Sequence, residues 1–253
     1  MTVAARLERT YRVRFDEAGP DGFLRASGFV RYAQDMAWIH SESAGFGRAW
    51  YRDRGLFWLV RGVELDLLED VDYGTELVVS TEVIGFRRVI ARRRSEFHLP
   101  ESERPVATVL TDWVLLKDNG RPVQPPAEIL EMFPPASNEF APLRARVGEP
   151  PAHADEAAFS VRRSEADPMG HVNNAVYVDY LDEGFLRRAA RDGGLPVPRR
   201  YRVEFAGSAL PGSRVTARGW DEQLAWSCTL TDENGHETLR ATLETDSAAW
   251  VGG

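Results

Sequence analysis

The feature that most limits the fold of this 253-residue chain is an internal repeat at an offset of 148 residues. Without a gap, Val13 and Arg14 face Val161 and Arg162, Glu17 and Ala18 face Glu165 and Ala166, Pro20 faces Pro168, Gly22 faces Gly170, Val30 faces Val178, and Tyr32 faces Tyr180. Eight identities in a window of twenty stand against roughly one or two expected by chance, so the halves are read as two copies of one fold. Between them, Pro122 to Pro151 holds eight of the fifteen prolines, together with Ser137, Asn138 and Gly148, around one short apolar piece, Ile129 to Phe133. That composition reads as a connection. The organisation expected is a first domain over 1–121, a proline-rich linker with a short helix over 122–155, and a second domain over 156–253.

Each copy carries the same order of elements. In the first, Tyr11 to Phe15 reads as a strand and Gly19, Pro20, Asp21 and Gly22 as a turn. Phe29, Ala33, Met36, Ala37, His40 and Ala44 then recur at helical spacing. Strand-like runs follow over Leu56 to Leu65, Glu76 to Val83, Arg88 to Phe97 and Val106 to Leu116, closed by the turn Asp118, Asn119, Gly120. The second copy predicts a strand over Ala158 to Arg163, a helix from about Asn174 to Ala190, and strands near Arg200 to Phe205, Arg214 to Gly219, Leu224 to Thr231 and His236 to Glu244. Asn234 and Gly235 mark a hairpin between the last two. One long helix followed by consecutive antiparallel strands is an α+β pattern in which a sheet wraps a helix.

Composition removes several functions. No apolar run approaches the roughly 18 residues that span a membrane. The formal charge of −8 offers no overall positive field to hold nucleic acid through counterion release. Cys228 is the only cysteine, which forbids an intrachain disulfide and a cysteine-based zinc site and suits the cytosol. Arg6, Glu8, Arg9, Arg12 and Arg14 occupy the stretch where a signal peptide would need an apolar core. A cytoplasmic protein without metal or cofactor is expected.

The chemistry concentrates in Asp167, Pro168, Met169, Gly170, His171, Val172, Asn173 and Asn174, between the first strand and the helix of the second copy. Asn173 or Asn174 suits the N-cap of the helix, whose free N–H groups can hold a developing oxyanion. Asp167 and His171, four residues apart, either bond each other across the turn or converge on a substrate. The repeat offset places Gly19 at Asp167, Phe23 at His171 and Arg25 at Asn173, so a single active copy is expected.

Gly170, His171, Val172, Asn173 and Asn174 behind a short strand, with an aspartate four residues before the histidine and Tyr177 after it, resemble the signature of hotdog-fold thioesterases. With the two-copy layout, the chain from about residue 8 to 246 resembles the double-hotdog acyl-[acyl-carrier-protein] thioesterases that end fatty-acid synthesis. The resemblance implies two tandem hotdog domains, catalytic roles for Asp167 and His171, and a catalytic glutamate at Glu204 in the run Tyr201 to Phe205. Two positions depart from it: Met169 stands where plant members have asparagine, and Phe205 where many have cysteine. Hydrolysis by base-activated water is therefore expected, with Glu204 as base and His171 and Asp167 positioning water and substrate, or with the roles of the two carboxylates exchanged, and with Gly170 and His171 at the polarising helix end.

Met169, Gly170, Asn173 and Asn174 are expected to touch substrate, and Phe23, Met36 and Trp38 to shape an acyl pocket in the first copy. The substrate implied is an acyl chain on the 4′-phosphopantetheine arm of acyl carrier protein. Because that carrier is strongly acidic, Arg87, Arg88, Arg92, Arg93 and Arg94 are candidates for docking it. An acyl-CoA thioesterase and a non-catalytic acyl-thioester sensor remain as alternatives, and pairing of whole chains into a homodimer stays open.

Overall fold

The computed structural model describes residues 5–134, 139–189, 195–222 and 225–245. The first copy contributes β1 (Arg6–Arg12), α1 (Ala26–Ser43), α2 (Arg48–Arg52), β2 (Leu56–Leu67), β3 (Glu76–Arg87), β4 (Ile90–His98) and β5 (Pro105–Lys117). A short helix, α3 (Ala127–Met132), opens the connection. The second copy supplies β6 (Asp155–Ser160), α4 (Asn174–Ala189), β7 (Arg199–Phe205), β8 (Arg214–Glu222), β9 (Ala225–Asp232) and β10 (Glu237–Glu244).

These strands form one antiparallel sheet in the order β1-β3-β4-β5-β2-β7-β10-β9-β8-β6. Read outward from the β2–β7 seam, the two halves have the same order, so the sheet is a pair of five-stranded hotdog-type units fused edge to edge. Pairing removes the inner edge of each unit and, among the described residues, leaves β1 and β6 as the edges. The helices α1 and α4 lie together on one face. Their apolar residues and those of the strands form one core, with Phe29, Met36, Leu65, Phe97, Tyr177, Tyr201 and Leu230 fully buried.

The expected helical face of α1 is the buried one, since Phe29, Ala33, Met36, Ala37 and His40 all point into the core. The first strand of each copy lies earlier than its sequence pattern suggests. The main-chain N–H of Arg14 and the hydroxyl of Tyr32 both donate to Glu17, at 3.0 and 2.5 Å, and wind Phe15–Glu17 into a 3-10 turn. Arg162, Tyr180 and Glu165 repeat the arrangement around Arg163–Glu165. The strand before each turn is an edge strand, charged in β1 and made mostly of small or polar residues in β6, so its apolar alternation is weak.

Two contacts join residues to their own repeat equivalents. Arg31 Nη2 lies 2.8 Å from Asp179 Oδ2 between the helices, at the repeat offset of 148. Beyond the helices the second copy runs ten residues shorter, so the strand offset is 138, and Arg202 Nε lies 2.7 Å from its equivalent Glu64 Oε2 at the seam. A residue that touches its own equivalent sits on the pseudo-twofold axis. In a dimer of identical copies like charges would meet there; the fused chain has opposite charges at both places.

Candidate active site

The repeat extends to individual hydrogen bonds around the motif loop. Asp167 N–H donates to His171 O, Gly170 N–H to Asp167 O, Val172 N–H to Ala209 O, and Asn173 N–H to Glu165 O. Gly19, Gly22, Leu24 and Arg25 make the same four bonds to Phe23, Gly19, Val71 and Glu17. Gly170 has φ +83°, and Gly22 has φ +87° at the equivalent position. This left-handed backbone explains why both copies keep glycine there.

Within that shared frame the copies differ in which N–H groups are closed. In the first, Asp21 Oδ1 accepts the Phe23 N–H at 3.1 Å. In the second the residue at the Asp21 position is Met169, whose thioether takes no such bond in place of the carboxylate, and the His171 N–H is without a partner among the described residues. The His171 ring is half-buried and likewise free of hydrogen bonds among them. Asp167 does not bond that ring: its Oδ1 accepts the Met169 N–H at 2.8 Å and holds the turn. Asn173 is the N-cap, accepting the Ala175 N–H at 2.9 Å, and Asn174 begins the helix. The loop thus presents an imidazole and an open main-chain donor at a helix N-terminus, with Met169 exposed at its tip.

Glu204 is not part of this constellation. Along β7 the odd residues face the helices: the Tyr201 hydroxyl donates to Asp182 of α4 at 2.6 Å, and the Phe205 ring packs 5.8 Å from Tyr177. Side chains alternate along a strand, so Glu204 projects from the opposite sheet face. Its register partner Gly62 confirms the direction, because a Cβ on Gly62 would stand 2.9 Å from Leu143 Cβ in the connection. There Glu204 is buried and takes hydrogen bonds from Arg61 and from Arg144 of the connection. The axis relates Glu204 to Asp66, which pairs with Arg200 at 2.5 Å. Gly62 occupies the position equivalent to Arg200, and Arg144 supplies the missing guanidinium. The residue expected as catalytic base thus lies on the sheet face away from the helices, held by Arg61 and Arg144; the alternation of Tyr201, Val203 and Phe205 with Arg200, Arg202 and Glu204 is in the sequence, and the company of Arg144 is what the tertiary structure adds.

The arginine segment is likewise dispersed. Arg92 is buried in a bidentate pair with Asp112 at 2.7 and 2.8 Å and also donates to Ala141 O. Arg93 points to the other face against His40 Nδ1 at 3.0 Å, its pKa pushed down to about 10 by burial. Arg94 binds Glu82. Only Arg87 and Arg88, at the β3–β4 tip, are exposed, so no five-residue docking cluster exists.

The residues expected to shape an acyl pocket also separate. Met36 is fully buried, whereas Trp38, two residues on and therefore on the opposite side of α1, is 42% exposed. Phe23 lines a cavity of about 710 Å³ bounded by the first-copy loop, Arg25, Asp70, Asp182 and Arg199. In it the Asp182 carboxyl is pushed up to about 7 by burial, against the lowering effect of its Tyr201 hydrogen bond and of Arg199. Cys228 is buried and its thiol pKa is raised by that burial, which leaves no accessible thiolate.

A long helix wrapped by five antiparallel strands, present twice in one chain, defines a double-hotdog protein. The family described as "Acyl-ACP thioesterase N-terminal domain" matches residues 5–133, and the chain belongs to this family of thioester hydrolases. Its fold is shared with an acyl-ACP thioesterase from Bacteroides thetaiotaomicron, at TM-score 0.80 and 14% identity over 95% of this chain and 97% of the other. The 12:0-ACP thioesterase from Umbellularia californica aligns at TM-score 0.78 and 19% identity over 95% and 97%. A comparison with curated protein sequences finds no match. Among the described residues no helix is long and apolar enough to cross a membrane.

Proposed function

We propose that the chain hydrolyses the thioester of a fatty acyl group carried on acyl carrier protein, by direct attack of water at a carbonyl held against the His171 loop of the second copy. The observation that carries this reading is the difference between the copies: the N–H that Asp21 closes at Phe23 is open at His171. An open donor at a helix end polarises the carbonyl and stabilises the oxyanion. The free His171 ring takes the proton from water as its oxygen attacks; when the C–S bond breaks, the thiolate receives that proton and fatty acid departs. Asp167 keeps the loop shaped, and the buried Cys228 takes no part.

The test is thiol release from matched acyl-carrier-protein and acyl-CoA thioesters of medium to long chain, by wild type and His171→Gln. Carrier-protein thioesters should be preferred, and the variant should lose at least about a hundredfold in kcat with little change in Tm, since the ring has no hydrogen bonds to lose among the described residues. Release from CoA alone would replace the carrier, and an active His171→Gln would remove His171 from proton transfer.

A further inference from the structure

The two loop mouths are related by the pseudo-twofold axis, yet they differ in charge. At the first mouth Arg14 is paired with Glu17 at 3.0 Å and with Asp16 at 3.7 Å, and the next residue, Phe15, is 81% exposed. At the second, Arg163 replaces Phe15 and Ser164 replaces Asp16; Glu165 is kept at the Glu17 position and accepts from the Arg162 main-chain N–H and the Tyr180 hydroxyl, so one of the two carboxylates is gone and a second cation is added. Arg162 and Arg163 are both exposed and form no ion pair with a carboxylate among the described residues, in a chain of net charge −8.

The segments around this mouth are bound together. Val161 N–H donates to Ser213 O and Gly212 N–H to Val161 O, at 2.9 Å each, while Val172 N–H donates to Ala209 O at 3.1 Å. The arginine turn, the His171 loop and the 206–213 segment therefore form one surface. Met169 and Leu210 stand on it, 56% and 55% exposed, two large apolar side chains beside unpaired cations. An apolar centre with a cationic rim fits an acidic protein that presents its own apolar side chains.

We infer that this surface, with Arg162 and Arg163 as its charged rim and Met169 and Leu210 as its apolar contact, docks the acidic acyl carrier protein and delivers its prosthetic arm to the His171 loop. The inference rests on the proposed function and assigns docking to residues other than the β4 arginines, which are spent on internal contacts. The first mouth, neutralised by Asp16 and Glu17, does not receive the carrier.

The experiment compares wild type, Arg162→Glu/Arg163→Glu and Arg87→Glu/Arg88→Glu on an acyl-carrier-protein thioester and on the same acyl group as a carrier-free N-acetylcysteamine thioester, each at low and high salt. The Arg162/Arg163 double variant should lose at least about tenfold in kcat/KM on the carrier protein, through KM, with less than about threefold change on the carrier-free substrate. Salt should weaken wild-type activity on the carrier protein more than that of this variant. The Arg87/Arg88 variant should behave as wild type. Equal activity of the Arg162/Arg163 variant and wild type on the carrier protein overturns this inference alone. Hydrolysis of the carrier-free thioester with no wild-type activity on the carrier protein overturns the proposed carrier as well.

Discussion

Replacing Glu204 by glutamine separates the two roles the residue could have. Glu204 is 7% exposed and its carboxylate binds Arg61 and Arg144, so the substitution removes two charge-assisted contacts. Such bonds contribute about 1.5–3 kcal/mol each when buried. Here the guanidinium side chains are 34% and 51% exposed, so water replaces much of what is lost. Glutamine also keeps one acceptor. The expected cost is about 1–2 kcal/mol, which at about 2–4 °C per kcal/mol for a chain of this size lowers Tm by roughly 2–8 °C. Because Arg144 lies in the connection, that segment should loosen first, which hydrogen exchange of residues 139–150 would register. Turnover should stay within about threefold of wild type, against the hundredfold loss typical when a general base is removed. Thermal unfolding and acyl-carrier-protein hydrolysis on the same preparation decide the matter. A hundredfold loss of kcat at unchanged Tm would refute the sheet-face reasoning and return Glu204 to the reaction.

Two further outcomes follow from buried or paired charges. Arg31→Asp or Asp179→Arg alone places like charges on the pseudo-twofold axis and should cost about 1 kcal/mol, while the double swap should recover most of it; simple additivity in a thermal-unfolding cycle would show the pair uncoupled. Asp182, at about 7 in the folded chain against its ordinary 3.8, makes stability fall as pH rises. Below about pH 4 it is protonated in both states, between about 4 and 7 only the unfolded chain releases the proton, and above 7 the full penalty applies. Asp182→Asn should remove that part of the slope, and a variant whose Tm follows pH as wild type does would contradict the assignment.

The local patterns of this chain were enough for its architecture. The 148-residue repeat, the spacing of Phe29, Met36 and His40, and the hairpin at Asn234 and Gly235 give two helix-and-sheet units, because period and turn chemistry are properties of neighbours along the chain. The polar loop ahead of α4 was legible for the same reason. What tertiary structure alone decided is the direction and company of individual side chains. Glu204 is held on the outer sheet face because the connection crosses there and brings Arg144 against it, beside Arg61. Arg92 and Arg93, adjacent in sequence, separate to opposite faces of β4 and are consumed by Asp112 and His40. The open N–H at His171 acquires its meaning only beside the closed one at Phe23, since the fold superposes residues 148 positions apart and leaves Met169 where Asp21 supplies an acceptor.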